Sequence, residues 1–213
     1  MKIAASLCLL SVLTLALLLA IGLTARAVEV AYKAEIIGVA DDELRGHDGD
    51  DRHMTATDFW ESDGNLEKGL FLRQLLEDRN ATDYMSRTTN YTSDDLSLSS
   101  IAQMANTANA DIFLAIHSNG FDGTRNQPLM LFRGYDNSPV YPAAKTFATI
   151  LWEKVFEKNN CWTHSFEWVK GDWTFYPEWE TQGLGVLRPL TMPGVLSEGS
   201  FHDYVPEGWR LRN

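Results

Sequence analysis

The chain has 213 residues, of which 45% are hydrophobic and 22% charged, the balance of one ordinary globular domain with enough apolar side chains for a core. Its formal net charge is −11. That excess of acid argues against nucleic acid, whose phosphates need basic patches, and against simple electrostatic adhesion to an anionic surface.

The N-terminal segment differs in kind from the rest. Met1-Lys2 gives a positive start, Leu7 to Leu23 is almost wholly apolar, and Ala25-Arg26-Ala27 supplies a small-x-small cleavage pattern. Residues 1–27 therefore read as a signal peptide, with an uncleaved anchor as the alternative because the run approaches spanning length. Cys8 lies inside the run rather than after it, which argues against a lipid-bearing cysteine. Cleavage leaves 16 basic against 29 acidic residues, a net of −13, and no stable membrane insertion. Only Cys161 remains, so a metal site in residues 28–213 must use histidine and carboxylate.

Along that single domain, Ala34 to Val39 reads as a first strand, followed by an acidic, glycine-containing loop from Asp41 to Arg52. Asn65 can cap a helix from Leu66 to Asp78, with Glu67 early in it to suit the helix dipole. Tyr84 to Arg87 reads as a short second strand. Leu98, Ile101, Ala105 and Ala108 fall at helical spacing and predict a helix from Ser97 to Asn109. It leads into the apolar strand 111–116, which stops at His117 and a polar turn. Ala144, Phe147, Leu151 and Val155 predict a helix over 142–158. The tryptophan-rich stretch 159–182 reads as irregular, and Gly185–Leu190 and Gly194–Ser197 as strand segments around a proline-containing bend. Strands alternating with helices predict an α/β fold, a mostly parallel twisted sheet with helices on both faces.

Three pieces sit at strand ends or loop tips. They are Gly46-His47-Asp48-Gly49-Asp50-Asp51-Arg52-His53, then Trp60-Glu61 through Leu66, and the strand-end His117. Two imidazoles and a carboxylate form a catalytic zinc set that leaves a position for water, although no compact HExxH motif appears. Glu198, at the end of the apolar strand Val195-Leu196-Ser197, is a candidate general base. A satisfied core histidine at 117 and a solvated glutamate at 198 are the ordinary alternatives. His164 and His202 read as surface or supporting residues. The tryptophans read as loop packing, with stacking on sugar rings the alternative. Asn80-Ala81-Thr82 and Asn90-Tyr91-Thr92 match glycosylation acceptors.

From about Ile36 to the C-terminus the chain resembles the zinc-dependent N-acetylmuramoyl-L-alanine amidases that trim bacterial peptidoglycan. The resemblance is carried by Glu61-x-Asp63-x-Asn65-Leu66, by Met104-Ala105-Asn106 through Ile116-His117-Ser118-Asn119, and by Val186-Leu187-Arg188 through Pro193-Gly194-Val195-Leu196-Ser197-Glu198. It implies Zn²⁺ held by His47, Glu61 and His117, with Glu198 as catalytic base. Arg188 and Asn119 are the candidate substrate contacts, Arg188 by pairing with a peptide carboxylate or serving instead in a structural ion pair. It further implies peptidoglycan as partner and an exported protein of the bacterial periplasm or cell envelope. The alternatives are a non-catalytic peptidoglycan-binding relative with a degraded zinc site, or another zinc peptidase such as a carboxypeptidase.

The chain departs from the family pattern in three places. Its first motif reads Asp41 to Gly49 where the family has Asp-x-Gly-His-Gly-Gly. Aligning Gly46-His47 with the family's Gly-His makes His47 the ligand, with His53 in reserve; aligning Asp50-Asp51-Arg52 instead puts Leu44 there. Ile101 replaces an arginine, and the chain stops at Asn213, where the family continues into a closing helix.

Overall fold

A computed structural model describes residues 53–94, 96–159, 161 and 168–213. The expected leader, the strand at 34–39, the acidic loop with His47, and His164 lie outside the described residues.

The described chain opens with the two-residue strands β1 (His53–Met54) and β2 (Phe59–Trp60), which pair antiparallel. Helix α1 follows at once over Glu61–Glu77. It begins five residues before the expected start, because Asn65 does not cap it. Asn65 lies one turn inside and donates its side-chain amide to Glu61. Trp60 offers no side-chain cap either, so other groups steady the first turn. Glu61 and Asp63 suit the positive end of the helix dipole. The buried Arg87 guanidinium donates to the Ser62 carbonyl at 2.8 Å, and Asn90 donates to Asp63 at 2.6 Å. This brace occupies the segment expected as a second strand: Tyr84–Arg87 is not a strand.

Helix α2 (Leu98–Ala108) is capped by Ser97, whose hydroxyl accepts from the Ser100 amide, and it ends at Asn109 in the left-handed conformation (φ 52°). Strand β3 (Phe113–Asn119) runs past the expected end at 116. After it come β4 (Leu129–Phe132) and the small hairpin of β5 (Gly134–Tyr135) with β6 (Ser138–Pro139). Helix α3 occupies Pro142–Lys158, as its apolar spacing predicts, with proline in its first turn.

The expected irregular stretch contains strand β7 (Val169–Gly171), a single helical turn α4 (Asp172–Phe175) and a 3₁₀ segment over Pro177–Gln182. Asp172 is fully buried and accepts from the Gly134 and Leu184 amides, both at 2.9 Å, while burial pushes its carboxyl above the ordinary range. Gly185–Leu190 is not a strand. Its amides turn back on Leu184 and Leu187, and Val186, Leu187 and Leu190 go inward as a lid on the core. Strand β8 (Gly194–Phe201) is twice the expected length, and helix α5 (Val205–Arg212), unforeseen in the sequence, closes the described fold.

The main sheet has the order β3-β8-β4-β7. β3 pairs parallel with β8 and β4 parallel with β7, while β4 runs antiparallel to β8, so the sheet is mixed. Successive side chains leave opposite faces. Leu114, Ile116, Met130, Phe132 and Val195 pack under α1 and α3. Phe113, Ala115, Leu129, Leu131 and Leu196 pack under α2 and the 186–192 segment. This is a single α/β domain with helices on both faces. No helix among the described residues is long and apolar enough to cross a membrane.

Candidate active site

The carboxyl end of β3 and β8 gathers the chemistry. His117 and Glu198 are partners in the parallel register, so their backbones are neighbours, about 4.8 Å apart. In the pleat His117 follows Phe113 and Ala115, and Glu198 follows Leu196, so both side chains leave the same face. The sheet, rather than a loop, therefore fixes their spacing. Both are half-buried.

Glu61 comes to this edge from the first residue of α1. It is 3% exposed, and its Oε1 lies 4.0 Å from His117 Nδ1. A carboxylate buried this deeply needs donors. The Ser118 amide donates to Oε1 at 2.6 Å and Asn65 Nδ2 at 3.2 Å. Behind them Lys68 Nζ donates to Asn65 Oδ1 at 2.9 Å and to Ser118 Oγ at 2.7 Å, and Ser118 Oγ donates to Asn65 Oδ1 at 3.1 Å. With Oδ1 occupied by two donors, the Asn65 amide must present its NH₂ to Glu61. The Glu-x-Asp-x-Asn spacing has its physical meaning here. Residues four apart stand one above the other on the helix, and the residue between them ties down the first turn through Asn90.

His202 is 2% exposed and belongs to the same edge, so of its two expected places, surface or supporting, burial removes the first. Its Nδ1 lies 3.1 Å from the Ser118 carbonyl and 3.8 Å from Glu61 Oε2. Its backbone amide donates to the Asn119 carbonyl at 2.8 Å. Asn119 Oδ1 accepts from the Gly120 amide at 2.8 Å and so shapes the turn leaving β3. Asp203 orders the loop beyond, accepting from the amides of Phe121 and Gly123. The exposed Phe121 ring carries the Arg125 guanidinium 4.2 Å from its centroid at the rim.

Not every candidate reaches this place. Arg188 is exposed and donates to Gln182 at 3.4 Å. The neighbouring Leu187 abuts Gly194 at the start of β8, which lies four residues, about 13 Å, from Glu198. His53 stacks on Trp60, with centroids 4.0 Å apart, and pairs with Asp58. His47 lies outside the described residues. Among the described residues no group of three or more His, Cys, Asp or Glu is placed to hold a metal. Glu61 and His117 nevertheless give adjacent oxygen and nitrogen donors on two rigid elements, which fits the donor chemistry of a zinc site. Lys68 was not singled out in the sequence, and the partner of His202 could not be read from it: Lys68 meets Ser118 across 50 positions and His202 meets it across 84.

Comparison with solved structures agrees with this architecture. The chain is similar to an N-acetylmuramoyl-L-alanine amidase from Clostridium difficile 630, with TM-score 0.66, 20% identity and coverage of 86% of this chain and 88% of that one. It is likewise similar to the N-acetylmuramoyl-L-alanine amidase AmiC2 of Nostoc punctiforme, with TM-score 0.61, 20% identity and the same coverage. Among curated proteins it is 28% identical over 170 residues to the N-acetylmuramoyl-L-alanine amidase CwlM of Bacillus licheniformis, covering 79% of this chain. The match spans 58% of that relative's length. The family model described as N-acetylmuramoyl-L-alanine amidase matches residues 44–212, most of the chain and every element described above, and the chain belongs to that family.

Proposed function

We propose that this protein is a zinc-dependent hydrolase of peptidoglycan that cleaves the amide between N-acetylmuramic acid and the L-alanine of the stem peptide. The observation that carries the reading is the meeting of Glu61, His117 and Glu198 at one end of the sheet, with His117 and Glu198 in register. Glu61 and His117, together with His47, hold the metal. The chemistry a bound zinc supplies is acidification of a water and polarisation of the scissile carbonyl. Glu198 takes the proton of the attacking water and returns it to the departing L-alanine amine. The Ser118 amide and Asn65 hold Glu61 in place and aimed, and Asn119, at the turn leaving β3, contacts the substrate. Arg188, exposed and donating to Gln182, is given no part in this machinery.

The apolar run before Ala25-Arg26-Ala27 supports export to the periplasm or cell envelope, with a mature chain beginning near Val28. The test is digestion of purified peptidoglycan followed by mass analysis, alongside metal analysis of the protein. Intact stem peptides with a free L-alanine amine, about one zinc per chain, and activity lost to chelation and restored by zinc are expected. Release of terminal amino acids instead makes the protein a carboxypeptidase. Zinc-free protein that binds peptidoglycan without cutting it makes it a binding relative.

A further inference from the structure

We propose that His202 is a positioning residue for Glu61, acting through the peptide backbone at Ser118; the inference rests on the zinc reading above. A carbonyl oxygen can only accept, so the 3.1 Å contact with the Ser118 oxygen makes His202 Nδ1 a donor. An Nδ1 that carries a proton does not ligate a metal. It fixes instead the segment whose amide donates to Glu61 Oε1 at 2.6 Å. The same N–H dipole stands 3.8 Å from Glu61 Oε2, close enough to attract the second oxygen without bonding to it. His202 is itself held on two sides. Its backbone amide donates to the Asn119 carbonyl, and its ring lies 5.9 Å from the buried Phe59. The ring thus joins the end of β8 to the end of β3 beside the first residue of α1. The carboxylate is gripped from two directions: Asn65 and Lys68 from within the helix and across it, and His202 from beyond the strands. Such outer partners hold a ligand's orientation, and their loss typically weakens metal binding about 10–100-fold.

The experiment measures zinc affinity by competition with a chromophoric chelator, on the parent and on His202→Leu and His202→Asn. Asparagine can place an N–H donor near the position of Nδ1, whereas leucine fills the space without one. Cobalt-substituted samples give the ligand-field spectrum as a second readout. The leucine variant should bind zinc about 10–100-fold more weakly, with a shifted cobalt spectrum and activity that recovers at saturating zinc. The asparagine variant should stay within a few-fold of the parent. Parent-like affinity and spectrum in the leucine variant overturn the inference, as does an equal loss in both variants. Abolished binding in both makes His202 a ligand and overturns it too. Should the leucine variant fail to fold, the asparagine variant decides: near-parent affinity sustains the inference and a loss of tenfold or more ends it. A parent that takes up no zinc fails the metal reading itself, a result distinct from all of these.

Discussion

Glu198 and Glu61 are both glutamates at one sheet edge, yet their surroundings differ. Glu61 is wrapped by donors from Ser118 and Asn65, an environment that fixes the carboxylate in one orientation. Glu198 leaves the sheet beside His117 from a strand whose spacing the register sets. Glu198→Gln should therefore keep zinc content and melting temperature near those of the parent. Its kcat on peptidoglycan should fall by a factor on the order of 10² or more, the usual worth of a positioned proton transfer. Steady-state kinetics on metal-analysed protein checks this, and loss of zinc would mean that Glu198 supports the metal instead. At this scale the sequence was informative wherever a residue's role depends on its near neighbours. Glu61, in its Glu-x-Asp-x-Asn motif, and His117, at an apolar strand's end, could be singled out locally, although Asn65 read there as a helix cap rather than as the partner of Glu61. Lys68 was not singled out, and the partner of His202 was not, because both meet Ser118, which is distant in the chain.

The helices were legible where an apolar stripe has one clear period. Ala144, Phe147, Leu151 and Val155 place α3, and Ser97 marks the start of α2. The sequence misled where apolar residues were buried without periodic structure. Val186, Leu187 and Leu190 read as a strand because they are buried, but they are a turn laid over the sheet. The start of α1 was missed because its first turn is steadied by Arg87 and Asn90 rather than by a local cap. Asp172 performs a similar service between elements, tying the β5 and Leu184 backbones to the turn after β7. Asp172→Asn should cost about 1–3 kcal/mol, since an NH₂ would then face one of the two amides. The pH dependence carries a second sign. Burial, chiefly, raises this carboxyl's pKa in the folded state, so the folded protein binds its proton more tightly than the unfolded chain. Stability from this group is full below the ordinary Asp pKa and falls as pH rises through the raised one. Urea titrations across that range should show this slope in the parent and its absence in the asparagine variant.

Taken whole, the domain has two apolar layers that meet at a sheet four strands wide, with Glu61, His117 and Glu198 at its rim rather than in the core. Glu61 and His117 are 56 positions apart, so a metal bound to both ties α1 to β3 and favours the folded over the unfolded chain. Zinc at a hundred times its dissociation constant should add about 2.7 kcal/mol of stability. Calorimetry with and without metal checks this, and a melting temperature indifferent to zinc would count against a shared site. The parallel pairing of β3 with β8 also has a consequence in time. Glu198 reaches His117 only when strands separated by roughly 75 residues of chain come together in one register, and a slip of β8 by a single residue turns Glu198 to the face opposite His117. A chain delivered across a membrane amino end first presents Glu61 and His117 well before Glu198. Under the function proposed above, such a chain would cross with its proton acceptor missing and would become complete only with the last strand to arrive.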